Sequence, residues 1–179
     1  MEELKIQCPE LPKDNLKDVT NDSGLSTLED FTKVEFVNFE AKREDLYRLS
    51  MDIEAYAVKN YVPLLATFET EALYKYVQKR YTDILKKIPH AWVIGGFDDP
   101  FLIPPDSVPA TAEILSCLDT SIEKMWIVVT KGPSGPFGLV AEDLGNDKFR
   151  GFFSIDSKII EKVIKIINDT MRIEINFIK

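Results

Sequence analysis

Apolar and polar residues follow two different periods along the chain, and these periods predict its strands and helices. Residues 34–39 show a mixed alternation that predicts a first strand. Residues 43–59 are predicted to form an amphipathic helix, because apolar residues recur there at helical spacing, at Leu46, Leu49, Ile53 and Ala57.

Two short, nearly all-apolar runs, residues 61–68 and 90–94, are typical of interior strands covered on both faces. The helix between them is expected to begin at its N-cap Thr70 and to continue to about Ile88, where Pro89 stops it. Strand, helix, strand, helix, strand at these spacings predicts parallel β-α-β units with right-handed crossovers.

The second half of the chain has a different pattern. A proline-rich connection over residues 98–109 precedes a short predicted strand at residues 111–115. Strands are then predicted at residues 125–130, 137–142 and 149–155, and the short turns between them indicate an antiparallel meander. Asp156 or Ser157 is expected to cap a last helix, and strict alternation over residues 172–178 predicts a terminal strand.

Residues 1–30 show no lasting apolar period, so we expect an irregular N-terminal arm. A short helix over residues 26–31, with Ser26 as its N-cap and Glu29 three residues later, would close the arm. Residues 31–179 are expected to form a single domain. The predicted class is α/β: a single mixed β-sheet in which β-α-β-α-β is followed by an antiparallel meander, a helix and a terminal strand, with helices packed against it.

The charge balance limits the class of partner. The 179 residues include 22 Lys and Arg against 30 Asp and Glu, a net charge of −8, so nucleic-acid binding is not expected. No apolar stretch approaches the ~20 residues that span a bilayer, and the first residues lack the features of a secretion signal. We therefore expect a cytoplasmic protein that binds neither nucleic acid nor membrane.

Cysteine and histidine are scarce. Cys8 and Cys117 have no metal-type spacing, and no disulfide framework is expected. His90 is the single histidine, so a His-rich metal site is excluded and a catalytic triad could be built only through this residue. Its position between a helix-stopping proline and a strand favours a structural role.

Two glycine-containing segments are similar to phosphate loops but lack their defining residues. Residues 95–99 follow a buried strand, where α/β proteins often bind ligands, yet no third glycine opens a helix. Residues 132–138 lack the Gly-Lys-Ser/Thr ending and lie between two strands, which favours a hairpin turn. The acidic pairs nearby, Asp98/Asp99 and Glu142/Asp143, place neighbouring carboxylates on opposite sides and favour a solvated surface.

Glu54 is a more informative acidic residue. It lies one step off the apolar stripe of the first predicted helix, on the line of Tyr47, Met51 and Val58. A carboxylate in such a place is most often a surface residue or a capping partner, and less often a buried group that holds a ligand.

Four stretches between about Phe31 and Ile167 share the order and spacing of the motifs of one family. They are Leu49-Ser50-Met51-Asp52-Ile53-Glu54; Leu65-Ala66-Thr67-Phe68-Glu69 with Tyr81 downstream; Met125-Trp126-Ile127-Val128-Val129 followed by Leu139-Val140-Ala141-Glu142; and Phe149-Arg150-Gly151-Phe152-Phe153-Ser154-Ile155-Asp156. In this the chain resembles the DICT domain, a sensory module of diguanylate cyclases and two-component systems. It departs from that family at Glu69, where a glutamine is usual.

The resemblance implies a non-enzymatic cytoplasmic sensory domain that stands alone, with its output in a separate signalling protein such as a kinase, a cyclase or a GAF-type domain. No catalytic residue, metal or particular cofactor is assigned. A cavity for a small ligand is expected, with these ligand-binding residues: Glu54, Phe68, Glu69, Tyr81, Trp126, Glu142 and Phe153.

Two other functions stay open at this point. A pure interaction module, for example a homodimer or adaptor, could pair through the last helix or the terminal strand. An acid-base enzyme would use the carboxylates of Asp98, Asp99 and Glu142 near residues 95–99.

Overall fold

A computed structural model describes residues 16–18, 27–99 and 108–177. The predicted α/β class and single mixed sheet are confirmed. The elements follow in this order: β1 (Leu16–Asp18), α1 (Leu28–Thr32), β2 (Phe36–Lys42), α2 (Arg43–Asn60), β3 (Leu64–Phe68), α3 (Glu71–Leu85), β4 (Ala91–Gly95), β5 (Ala112–Ser116), a 3₁₀ turn (Ser121–Lys124), β6 (Met125–Gly132), β7 (Gly135–Gly145), β8 (Lys148–Ser154) and α4 (Ser157–Met171).

The eight strands lie in the order β1-β2-β8-β7-β6-β3-β4-β5. β3, β4 and β5 pair in parallel, as do β1 and β2, whereas the meander β6-β7-β8 is antiparallel and pairs with β3 on one side and β2 on the other. β2 and β3 therefore point the same way, but the whole meander lies between them. The parallel β-α-β prediction holds for β3-α3-β4, while spacing along the chain did not reveal that later strands would separate β2 from β3.

Helices cover both faces of the sheet. α1, α2 and α3 pack on one face around a core that includes Val37, Ile53, Ala66 and Leu139. α4 packs on the other face, where Ile160, Val163 and Ile167 are fully buried. The interior strands β3 and β4 are thus buried on both sides, which accounts for their nearly continuous apolar sequences.

Caps and turns fix the helix ends and the meander. Thr70 caps α3 and Asp156 caps α4, as expected. The segment predicted as a hairpin turn joins β6 to β7 at Gly132 and Gly135. The β7–β8 turn is made by Asn146 and Asp147, whose φ angles of 55° and 60° give the left-handed pair that a tight hairpin needs.

The chain after α4 corrects the predicted terminal strand. Arg172 adopts a left-handed conformation at the end of α4, and residues 173–177 form no strand. Asn168 instead binds the Ile175 backbone at both its N–H (2.8 Å) and its carbonyl (3.1 Å). The alternation of apolar and polar residues places Ile175 and Phe177 in the core beneath α4. The alternation therefore reflects packing of the chain end, which does not pair with the sheet here.

The N-terminal arm also differs from expectation. Residues 16–18 form the edge strand β1, which pairs with β2 in parallel. The short helix begins one residue later than predicted, with Thr27 as its N-cap and Asp30 completing the capping box. Ser26, Cys8 and residues 100–107 of the proline-rich connection lie outside the described residues.

Candidate functional site

A cavity of about 520 Å³ lies between α2, α3 and the sheet. This volume lies within the range of ligand pockets in proteins, roughly 300–1,000 Å³. Its floor includes Phe68 of β3 and both Trp126 and Val128 of β6, and Asp147 of the β7–β8 turn lies at one end. The cavity thus opens at the edge of the sheet where β2, β3 and β7 end and β6 and β8 begin. We call it the slot.

Each helix contributes one stripe of side chains to the slot. On α2 the stripe consists of Arg43, Tyr47, Ser50 and Glu54, spaced four, three and four residues apart, so they share one helix face; Glu44 also lines the slot, beside this stripe. On α3 the slot-lining residues also lie on one helix face, because they are three or four residues apart: Leu73, Tyr76, Val77, Arg80 and Tyr81. Since β2 and β3 point the same way, α2 and α3 run in the same direction above the sheet.

An ion pair closes the end of the slot near the strand termini. Arg43 Nη1 donates to Glu69 Oε2 at 2.8 Å, and the Glu69 side chain is 9% exposed. Arg43 Nε lies 3.6 Å from Asp147 Oδ1. The guanidinium also covers the rings of Phe149, at 4.8 Å from the centroid, and Trp126, at 5.5 Å. These contacts hold the Arg43 side chain against the floor.

Glu69 is electrostatically unusual. Burial raises its pKa from 4.5 to about 7, and the nearby Asp143 carboxylate acts in the same direction, while Arg43 opposes both. A carboxyl group with this pKa exchanges its proton near neutral pH. Gly96 packs against the backbone carbonyl of Glu69, where a Cβ would lie 2.6 Å from the oxygen. The glycine after β4 therefore allows the loop that positions Glu69.

A second ion pair lies further along the helices. Arg80 Nη1 binds Glu54 Oε2, and Tyr81 donates from its hydroxyl to Glu54 Oε1 at 2.5 Å. The Glu54 side chain is 3% exposed, so both of its oxygens are used inside the protein. The Arg80 guanidinium lies over the rings of Tyr47 and Tyr81, at 5.2 and 5.4 Å from their centroids. This group joins α2 to α3.

The two ion pairs are in register. Arg43 and Glu54 are eleven residues apart on α2, and their partners Glu69 and Arg80 are separated by the same number. Eleven residues of helix span about 16 Å, so one charge pair lies near each end of the slot. Charge is thus fixed at the ends, and the middle is apolar and aromatic.

Trp126 is held between these ends by a hydrogen bond from its Nε1 to Ser50 Oγ, at 2.9 Å. Phe149 packs edge-on against the indole, with ring centroids 5.5 Å apart. The β3–β6 pairing stops at Ala66, and beyond it the Thr67 hydroxyl donates to Met125 O and accepts from Ile127 N. The two strands part there, which makes room for the slot floor.

Five of the seven predicted ligand-binding residues line the slot: Glu54, Phe68, Glu69, Tyr81 and Trp126. Glu142 and Phe153 do not. Because residues alternate along β7, and Ala141 packs in the core under α1–α3, Glu142 lies on the opposite side of the sheet. Phe153 lies on the correct side but at the far end of β8, buried between Phe31 and Phe137. Phe149, four residues earlier, is the aromatic residue of β8 beside the site.

The other sequence candidates lie elsewhere. His90, at the amino end of β4, is 3.0 Å from Glu113 Oε1 and contacts Trp92, so it lies at the opposite edge of the sheet. Asp98 and Asp99 are exposed, and Asp99 N donates to Glu71 Oε2 at 3.2 Å. Within the described ranges, no three His, Cys, Asp or Glu side chains come together as a metal site.

Arg43, Tyr47, Ser50 and Arg80 are site residues that were not predicted as such. The sequence contained an indication of them: polar side chains recur at helical spacing in two segments, and each segment also contains a glutamate that pairs with an arginine of the other. In the sequence, Glu54 lies on the line of Tyr47, Met51 and Val58. Of these three residues only Tyr47 lines the slot, and Met51 is exposed. The pairing of α2 with α3 was needed to recognise the correct face.

No helix in the described part of the chain combines the length and the apolar composition that a bilayer crossing requires. No family model matches this chain, and neither a curated protein nor a solved structure does. The resemblance to DICT domains therefore stays a prediction from the sequence.

Proposed function

We propose that this protein is a binding module that holds a small, flat, mostly apolar organic molecule in the slot between α2 and α3. The observation that carries this proposal is the slot itself: about 520 Å³, walled by aromatic and aliphatic side chains, with a partly buried ion pair near each end. Such concave, mainly apolar cavities with a few fixed polar groups are typical of small-molecule sites.

A sensory role is the form of this function that we favour. The slot is bounded by two helices and by the strand ends, so an occupant would contact α2, α3 and the β7–β8 turn together. Binding would favour one arrangement of these elements, which a separate signalling protein could recognise. A partner acting in trans and a cytoplasmic location belong to the same proposal.

The two segments that could pair with a partner in a pure interaction module bury their apolar residues inside this protein. The apolar stripe of α4 packs on the sheet, and Ile175 and Phe177 of the chain end are each 3% exposed. These observations favour ligand binding over pairing through either segment.

Ligand binding is tested by thermal denaturation with a metabolite and cofactor library, followed by native mass spectrometry of the compounds that stabilise. A ligand at 100 times its Kd stabilises the folded state by about 2.7 kcal/mol, which for this chain length raises Tm by about 5–10 °C.

Two variants on α3 locate the binding. Val77→Trp places an indole in the slot and should abolish the thermal shift, whereas Ala72→Trp adds the same group to an exposed position of that helix and should retain it. A shift that survives in Val77→Trp would contradict binding in the slot.

One observation favours a second candidate, an acid-base enzyme. Glu69 is buried in the slot wall with a pKa of about 7, which suits proton transfer at neutral pH. Turnover of a slot ligand that is lost in Glu69→Gln, while binding of that ligand is retained, would establish this function.

A further inference from the structure

Two buried polar atoms of the slot-lining residues lack a conventional hydrogen-bond partner. Glu69 Oε1 and Arg80 Nε are buried from water, and no donor or acceptor in the described part of the chain pairs with them. The Asp143 carboxyl group is within hydrogen-bond reach of the Glu69 carboxyl group, but it can pair with it only when a proton is shared between them. Glu69 is 8% exposed as a residue. Buried polar atoms of folded proteins are rarely left unpaired, so Arg80 Nε indicates a missing acceptor, and Glu69 Oε1 indicates a missing donor once the carboxyl group has lost the proton that it can share with Asp143.

The two atoms are complementary in kind and belong to opposite ends of the slot. Glu69 Oε1 is a hydrogen-bond acceptor at the end where Arg43 binds the other oxygen of the same carboxylate. Arg80 Nε is a donor at the end where Nη1 binds Glu54. The charges of both groups are already balanced by these pairs, so a charged occupant would have to displace one of them.

We propose, on the basis of the binding function above, that the slot takes a neutral, elongated, planar heterocycle with an N–H donor at one end and a carbonyl or ring-nitrogen acceptor at the other. The donor binds Glu69 Oε1 and the acceptor receives the hydrogen of Arg80 Nε, with small rotations of both side chains. The ring system lies over Trp126 and Phe68, where apolar contact and stacking supply the remaining affinity.

The protonation of Glu69 decides whether the donor can bind. Arg43 of α2 and Asp143 of β7 both affect the carboxyl group directly, and Asp147 of the β7–β8 turn acts through its contact with Arg43. Arg43 favours the carboxylate, whereas Asp143 favours a proton on Glu69. An N–H donor needs the carboxylate form, so it should bind more tightly as pH rises through about 7.

The test uses two probes of the same shape. In 7-amino-4-methylcoumarin an amino donor and a lactone carbonyl lie at opposite ends of a flat bicycle, whereas 4-methylcoumarin lacks only the donor. Binding of the first is measured by fluorescence anisotropy, and binding of the second by competition. We expect the amino compound to bind at least about tenfold more tightly at about pH 8, because it alone supplies the missing donor.

Lowering the pH to about 6 should remove about tenfold of the affinity of the amino compound and leave 4-methylcoumarin unchanged. In Glu69→Gln this pH dependence should disappear. Arg80→Lys keeps a cation for Glu54 but has no Nε–H, so it should weaken both coumarins to a similar degree. Circular dichroism of each variant establishes that it is folded.

Equal affinity of the two coumarins at every pH, or binding of neither, would overturn the inference. Equal binding that is blocked by Val77→Trp would leave the proposed binding function intact. If the library screen also finds no ligand, both this inference and the proposed binding function are contradicted.

Discussion

Two tyrosines of α3 offer a sharp test of how the buried polar groups affect stability. Tyr74 and Tyr81 are each at most 1% exposed, and both rings pack edge-on against Phe68, with centroids 5.2 and 4.9 Å away. Burial raises the pKa of both phenols, so both hydroxyls stay protonated near neutral pH. Their hydroxyl groups differ: Tyr81 donates to Glu54 at 2.5 Å, whereas Tyr74 finds no acceptor among the described residues.

The same substitution should therefore have different effects at the two positions. Tyr81→Phe keeps the ring but removes a hydrogen bond to a buried carboxylate, which should lower the free energy of unfolding by about 1.5–3 kcal/mol. Tyr74→Phe removes a desolvated hydroxyl that gains nothing in return, so it should leave stability unchanged or raise it by up to about 1 kcal/mol. Each variant serves as the control for the other.

Urea denaturation followed by Trp fluorescence and circular dichroism measures both effects. With unchanged m-values, the transition midpoint should fall for Tyr81→Phe and stay or rise for Tyr74→Phe. Equal destabilisation by the two substitutions would refute the reasoning, because it would mean that the hydrogen bond from Tyr81 to Glu54 adds nothing to stability. A larger loss at Tyr74 would show that its hydroxyl has a partner.

Three further predictions follow from other buried groups. The pKa of Glu69 rises on folding from 4.5 to about 7, so the folded state holds an extra proton between these pH values. The free energy of unfolding, measured by urea titration, should therefore fall as pH rises from about 4.5 to about 7. In Glu69→Gln this dependence of stability on pH should be weaker. Asn168→Ala should cost about 1–3 kcal/mol in the same assay, since it removes both hydrogen bonds to Ile175, with the cost largely absent if the chain end does not pack. Burial raises the pKa of Cys117 to about 12, so in a Cys8→Ser variant a thiol reagent should modify the protein only after denaturation, and fast labelling of the native state would contradict the buried position.

Much of the fold was predictable because local periodicity and burial agree in it. The interior strands were recognisable from continuous apolar runs, and α4 from its stripe of isoleucine and valine, since each element buries the faces that its period defines. The end of the chain shows the limit of this reasoning. Ile173, Ile175 and Phe177 alternate as in a strand, but Asn168 takes the backbone hydrogen bonds that a neighbouring strand would need. An alternating pattern shows which residues face the core, but it does not show what the backbone hydrogen-bonds to.

The site was predictable only in part, for a related physical reason. Phe68, Glu69 and Trp126 stand at strand ends, where ligand sites of α/β proteins are concentrated, so position along the chain was informative. Glu142 and Phe153 also belong to matching motifs, but side-chain alternation and distance along the strand place them elsewhere. To separate these two residues from the true site residues, one needs the register of β7 against β6 and β8, which depends on contacts between distant segments.

The arrangement of charge gives a physical reason for the slot to stay open. A buried ion pair is costly to desolvate, and a well-packed apolar pair in its place is often equally stable or more so. Arg43–Glu69 and Arg80–Glu54 nevertheless link α2 to the end of β3 and to α3 near both ends of the slot, with the two carboxylates nearly buried and about a third of each arginine side chain exposed. The unpaired atoms Glu69 Oε1 and Arg80 Nε belong to these same pairs. The polar groups that link α2 to α3 and to the end of β3 are thus the same groups that keep incompletely paired atoms, and this arrangement is expected if the proposed occupant, rather than stability alone, accounts for them.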